Sequence, residues 1–129
     1  TALAEDEILI AIHVPATAAG TGYSFMEMSP RKGDYALVGV AAMMQVSNGQ
    51  CNNVRIVCLG AGDSAMRMST AESALNGEAP SGDAFHAAAE AAAGEADPGS
   101  DYHASAEYRR DLIRSLTQRA LAEAHSRCN

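Results

Sequence analysis

Basic charge is scarce in this chain of 129 residues: nine Lys and Arg stand against sixteen Asp and Glu, and no basic cluster is longer than Arg109-Arg110. The formal net charge of -7 excludes a nucleic-acid or anionic-membrane surface, because both need a basic footprint. Long apolar runs are missing too. None approaches the ~20 residues needed to span a bilayer, and Thr1 opens the chain on polar and acidic sequence rather than on a signal peptide. The expectation is a soluble, cytoplasmic protein without a membrane span. Because the sequence begins without an initiating Met, a second expectation is that it is a piece of a longer polypeptide. Cysteine is sparse: Cys51, Cys58 and Cys128 form an odd set with no C-x-x-C pair, which suits free thiols in a reducing compartment. The histidines, His13, His86, His103 and His125, show no H-x-x-x-H spacing, so no metal site is expected. A G-x-S-x-G elbow and a P-loop are absent, no catalytic residue is assigned, and His86 with Glu90 reads as a solvated i, i+4 pair.

What is present is enough apolar sequence, 47%, for one core in one domain spanning residues 1–129. The organising stretch is Pro30 to Gly60. Its two apolar runs, Leu37 to Val46 and Val54 to Leu59, flank Ser47-Asn48-Gly49-Gln50, and Asn-Gly is the strongest short-range hairpin signal because both residues tolerate positive φ. In the second run Val54, Ile56 and Cys58 share one face and Arg55, Val57 and Leu59 the other, so the strand is expected to need cover on both sides.

Ahead of the hairpin, Glu7-Ile-Leu-Ile-Ala-Ile-His-Val14 is rich in β-branched residues and ends at Pro15, which predicts a buried strand. Tyr23 to Met28 predicts a second, stopped by Ser29-Pro30. After the hairpin come a turn at Gly60 to Asp63, a brief extended piece over Met66 to Met68, and a short helix from Ala71 to Leu75, capped by Ser69 or Thr70 and stopped by Asn76-Gly77. Alanine dominates Asp83 to Ala93, a helix with Ser81 or Asp83 as cap and Gly94 as stop, whose small side chains suit close approach to a sheet. The longest helix, Ser105 to Ala124, carries a stripe of Tyr108, Leu112, Ile113, Leu116, Ala120 and Leu121, with Arg109, Arg110, Arg114 and Arg119 largely off it. Strands first and helices after predict an α+β fold: a small antiparallel sheet of three to four strands packed against C-terminal helices.

One motif suggests a nucleotide site. Val54 to Ala65 is an apolar strand followed by G-x-G-x-x-A, the outline of a dinucleotide fingerprint. The long helix and second parallel strand that give this motif its meaning do not follow, so a plain turn is favoured.

Taken in order, Arg31-x-x-Asp34-Tyr35-Ala36 before an apolar strand, the Gly60-Ala61 turn, Arg67, Glu72, Leu75 and Gly77, then Ser105-x-Glu107-Tyr108-Arg109-Arg110 and Arg119-Ala120-Leu121 resemble the C-terminal domain of the flavoprotein (medium) subunit of molybdenum hydroxylases. This is the family of carbon monoxide dehydrogenase and the xanthine dehydrogenases, and the opening Glu7 to Pro15 resembles it as well. The resemblance implies an upstream FAD-binding domain. It also implies partner subunits carrying 2Fe-2S clusters and a molybdenum cofactor, with FAD passing their electrons to NAD⁺, a quinone or oxygen. Two flavin contacts are implied: Leu9 in the first strand, and Met26, which stands where the family often has a Lys. Tyr23 and Phe25 are neighbouring candidates. Arg31 and Asp34 read as a charge-assisted pair fixing the hairpin entrance; Arg67, Tyr108, Arg109 and Arg110 read as structural anchors. Two rivals stay open, a non-catalytic α+β interaction module and a nucleotide-binding domain using Gly60 to Ala65.

Overall fold

The computed structural model describes residues 3–128. Its sheet is a four-stranded antiparallel meander in sequence order, formed by β1 (Thr21–Met28), β2 (Val38–Ser47), β3 (Gln50–Leu59) and the two-residue β4 (Met66–Arg67). Three helices follow: α1 (Ser69–Leu75), α2 (Gly82–Glu95) and α3 (Ala106–Ser126). The fold is α+β, as the order of apolar runs predicts.

The hairpin turns where Asn-Gly places it, with φ of 53° at Asn48 and 74° at Gly49. Ser47 pairs with Gln50, and the register then runs to Gly39 opposite Leu59, interrupted by a bulge between Met43 and Gln45. This alternation puts Val38, Val40, Ala42 and Met44 of β2 on the same side as Val54, Ile56 and Cys58 of β3, all buried. Helix α3 covers that side over β1 and β2, and α1 covers β3. The Ala-rich α2 packs on α1 and α3 rather than against the sheet. Its small face is therefore a helix-to-helix surface, with Ala88, Ala89, Ala92 and Phe85 buried there.

The other side of the sheet is open. Tyr23, Phe25 and Leu59 are exposed, Arg55 is exposed and Val57 is half-buried. The expectation that β3 needs cover on both faces is overturned: an antiparallel sheet can leave one face uncovered, and Arg55 solvates this one.

A larger correction concerns Glu7 to Val14. These residues form no strand, and Ile8, Ile10, Ile12 and Val14 are 84, 93, 78 and 78% exposed. The β-branched composition is that of a strand, but nothing within residues 3–128 pairs with it.

Smaller differences have local causes. Helix α1 starts at Ser69 with Met68 as its cap residue and no side-chain cap of its own; the Glu95 carboxylate of α2 instead accepts from the Ser69 and Thr70 N–H groups at 3.1 and 2.9 Å. Ser81 and Ser105 cap α2 and α3, accepting from the N–H groups of Ala84 and Tyr108. Gly94 lies inside α2, which runs to Glu95. On α3, Arg109 is buried while Tyr108 is exposed, the reverse of the stripe read from the sequence. Gly60 to Ala65 is a turn between β3 and β4, followed by the seven-residue α1, so the fingerprint lacks its helix.

Candidate functional site

The loop joining β1 to β2 faces the connector ahead of α3 across a cleft of about 830 Å³. Pro30, Arg31, Asp34, Tyr35 and Leu37 line one wall, Asp101, Tyr102 and His103 the other, and Arg109 of α3 the floor. The loop is closed by backbone bonds, from the Leu37 N–H to the Met28 carbonyl at 2.7 Å and from the Asp34 N–H to the Arg31 carbonyl at 3.0 Å. Among the described residues no ion pair joins Arg31 to Asp34. The expected charge pair is replaced by this main-chain turn.

Arg109 holds the two walls together. Its guanidinium donates to the Leu37 carbonyl and, at 2.6 Å, to Asp101 Oδ2. Asp101 in turn accepts from the N–H groups of Ala104 and His103 at 2.9 and 2.8 Å. Those two backbone donors, reinforced by Arg109, hold the Asp101 carboxyl below the usual carboxylate range. The cleft floor is thus a paired polar cluster, whereas its rim is aromatic and open: Tyr35 is 98% exposed, and Tyr102, whose ring meets His103 edge-on, is 99% exposed. Two open phenol rings around an apolar recess suit a planar partner.

Neither Leu9 nor Met26 lines this cleft. Leu9 is 60% exposed in the unpaired N-terminal segment. Met26 faces the helix side of β1, opposite Val40, half-buried against the core. It lies two residues before Met28, whose carbonyl begins the cleft loop. Tyr23 and Phe25 belong to the open face, and the Arg127 guanidinium stands 5.7 Å from the Tyr23 ring centroid. Sequence reading passed over Tyr35 and Tyr102 as site residues. The available signal was an aromatic set among turn-forming residues, where no core position exists for it.

His86 and Glu90 form the expected solvated pair, 3.9 Å apart. Among the described residues no group of three or more His, Cys, Asp or Glu is arranged to hold a metal, and no helix is long and apolar enough to cross a membrane. Cys51 and Cys58 are buried and Cys128 half-buried, all as free thiols.

With this geometry in place, comparison with known proteins is direct. The family model of the CO dehydrogenase flavoprotein C-terminal domain matches residues 23–124. The nicotine 6-hydroxylase medium subunit of Paenarthrobacter nicotinovorans is 39% identical over 127 residues, 98% of this chain and 44% of that protein. The carbon monoxide dehydrogenase medium chain of Hydrogenophaga pseudoflava is 34% identical over 128 residues, 99% of this chain and 45% of that one. A solved carbon monoxide dehydrogenase from H. pseudoflava superposes with a TM-score of 0.86 at 36% identity, covering 90% of this chain and 40% of its own. Quinoline 2-oxidoreductase from Pseudomonas putida 86 gives a TM-score of 0.78 at 32% identity, over 84% of this chain and 39% of its own. The chain therefore spans less than half the length of these relatives. Sequence and fold agree: the chain belongs to the CO dehydrogenase flavoprotein C-terminal domain family.

Proposed function

We propose that this chain is the C-terminal part of a medium subunit of a molybdenum hydroxylase, in which a preceding domain holds FAD and this domain closes against the flavin. The observation that carries the reading is the cleft: rigid below, through Arg109, and rimmed by the open rings of Tyr35 and Tyr102. FAD supplies the junction between iron–sulfur clusters of a partner subunit, reduced at a molybdenum cofactor, and an external acceptor.

The residues present fit one half of that cofactor. No phosphate cradle exists at Gly60 to Ala65, because β4 and the seven-residue α1 follow it where a long helix is required. The pyrophosphate is therefore held by the preceding domain. The ring system has apolar partners here: Leu9, open on the N-terminal segment, and Met26, half-buried at the end of β1 that leads to the cleft. Both are assigned as flavin contacts. A methionine packs against a ring without supplying the cation that a lysine would, which moves flavin affinity and potential rather than the chemistry. The domain's task is to exclude water and fix the ring's orientation. Relatives named for nicotine, carbon monoxide and quinoline support a medium subunit in an enzyme acting on a small molecule, with substrate choice made in another chain.

The test is the natural gene's full product, purified with whatever accompanies it. A longer chain with an oxidised-flavin spectrum, together with subunits containing iron and molybdenum, is the expected result. A colourless product without partners overturns it in favour of the interaction module.

A further inference from the structure

The open side of the sheet carries a second recess, of about 330 Å³, at its hairpin end, sharing no lining residue with the cleft. Its base is a row of polar side chains across three strands: Thr21 of β1 stands opposite Gln45 of β2, and Asn53 of β3 completes the row. Hydrogen bonds join the row. Asn53 Nδ2 donates to Gln45 Oε1 at 2.5 Å, and Gln45 Nε2 donates to Thr21 Oγ1 at 3.1 Å. The β-bulge is what brings Asn53 there. Between the pairs Met43–Arg55 and Gln45–Asn52, β3 has one residue more than β2, and Asn53 lies in that stretch with φ of 51°. Asparagine is among the few residues that tolerate this left-handed backbone, and a bulge re-aims the side chain it carries.

The neighbouring row pairs Met43 with Arg55, and both line the same recess. Arg55 is exposed; its Nη1 donates to the Val54 carbonyl at 2.7 Å, and among the described residues no carboxylate forms an ion pair with it. Glu72, whose carboxylate senses that charge, is already held by Arg67 and the Ile56 N–H. Pro15, Ala16 and Ala18 form the remaining wall, and the Ala18 carbonyl accepts from the Thr21 N–H at 3.3 Å, which turns that segment back to the sheet.

These features select a ligand. A guanidinium fork matches a planar carboxylate. One cation, with no helix N-terminus beside it, balances a monoanion and not a phosphate dianion. The Met43 thioether and the Pro15 ring offer apolar contact to a flat ring. We propose that this recess binds a small aromatic monocarboxylate, with the carboxylate on Arg55, the ring between Met43 and Pro15, and a polar ring atom or substituent on the Asn53, Gln45 and Thr21 row. The site is independent of the cleft and of the flavoprotein reading.

The test uses the full-length subunit with benzoate and nicotinate as probes, followed by titration calorimetry and by methionine-methyl NMR. One molecule should bind per subunit and move the Met43 methyl signal. Arg55→Gln should raise Kd about tenfold. Benzamide, planar but uncharged, should bind the unaltered subunit about tenfold more weakly than benzoate, a comparison that needs no variant. Asn53→Gly keeps the left-handed backbone, removes the amide, and should weaken nicotinate about threefold more than benzoate, which has no ring nitrogen. An unchanged Kd in folded Arg55→Gln overturns the proposal, as does equal binding of benzamide, or tighter binding of inorganic phosphate than of benzoate. No binding of either probe at about 10 mM, or binding that leaves the Met43 signal unmoved, overturns it as well.

Discussion

The carboxylate of Glu72 is shared between the Arg67 guanidinium and the backbone of β3. It accepts from Arg67 Nε at 2.9 Å and Nη2 at 2.7 Å, and from the Ile56 N–H at 2.9 Å. One side chain thereby ties α1 to β4 and β3, while Asn76 at the end of the same helix accepts from the Val54 N–H at 3.1 Å. The short α1 is held by these ties rather than by its own propensity.

Glu72→Ala leaves the buried Ile56 N–H without a partner and unties Arg67, although Arg67 itself is half-exposed and recovers water. The expected cost is about 2–3 kcal/mol, read as a fall in Tm of roughly 10 °C by calorimetry. Glu72→Gln keeps an acceptor and should lose less. Equal losses in the two variants would mean that the carboxylate charge, not the hydrogen bonding, is what matters.

The same group sets an acid limit. Burial alone would raise the Glu72 pKa; hydrogen bonds from Arg67 and Ile56 and the charges of Arg67 and Arg55 outweigh it, and the net shift is downward. Glu95, against whose burial the N–H and hydroxyl groups of Ser69 and Thr70 act, and Asp101 are lowered as well. A carboxyl with a depressed folded pKa binds its proton more weakly when folded, so its stabilisation is complete above the unfolded value and lost as pH falls through the folded one. Tm should therefore be flat from pH 7 to about 5 and decline below about 4.5. In Glu72→Gln the decline should be shallower, and an unchanged slope would remove Glu72 from the account.

Much of this fold was legible because local signals agree with each other: Asn48-Gly49 marks the hairpin, Ser81 and Ser105 the caps, and period-two alternation the buried side of β3. Arg109 was misread because a helical stripe is counted by residue type, and a guanidinium bound to the Leu37 carbonyl and Asp101 occupies a core position that hydropathy assigns to Tyr108. The 7–14 segment was misread for another reason. Its β-branched composition is that of a strand, but composition does not supply a pairing partner, and residues 7–14 meet none within residues 3–128. The cleft escaped notice because its two walls are separated by some 70 residues of sequence, as Leu37 and Arg109 are by 72.

Gly22 is required by the approach of α3. A Cβ there would collide with the Ala124 carbonyl oxygen and stand 2.7 Å from Cys128 Sγ. Ala normally improves a strand position held by Gly, so Gly22→Ala separates propensity from packing. The expected outcome is destabilisation by about 1–3 kcal/mol as the end of α3 is pushed off β1, measured by urea denaturation. A more stable variant would show that the helix end yields freely.

Thiol reactivity reports the same packing. Burial pushes the Cys58 thiol up to about 12 and also raises Cys51, to which the nearby Cys128 and Glu78 add. At pH 8 a thiol-disulfide reagent should modify Cys128 in the native protein and reach all three cysteines only after denaturation. Rapid labelling of Cys58 under native conditions would place frequent opening of the sheet–helix interface within reach of the reagent.

The proposed flavin contacts, Leu9 and Met26, make the sharpest demand on the proposed function. On the proposed assignment, Leu9→Ala in the full-length subunit removes about three carbons from the ring's surroundings and should raise the flavin Kd about tenfold. The fold should survive this change, because Leu9 is exposed and lies outside every strand and helix. Met26→Lys works in the other direction. It places a cation at the end of β1, where a charge-assisted contact to the cofactor should tighten binding about fivefold, less than an unburied lysine would give because Met26 is half-buried against Val40. Titration of the apo-subunit with FAD, followed by flavin fluorescence, measures both. If neither variant moves the Kd while both stay folded, the ring is held by the preceding domain alone, and this domain's part reduces to covering it.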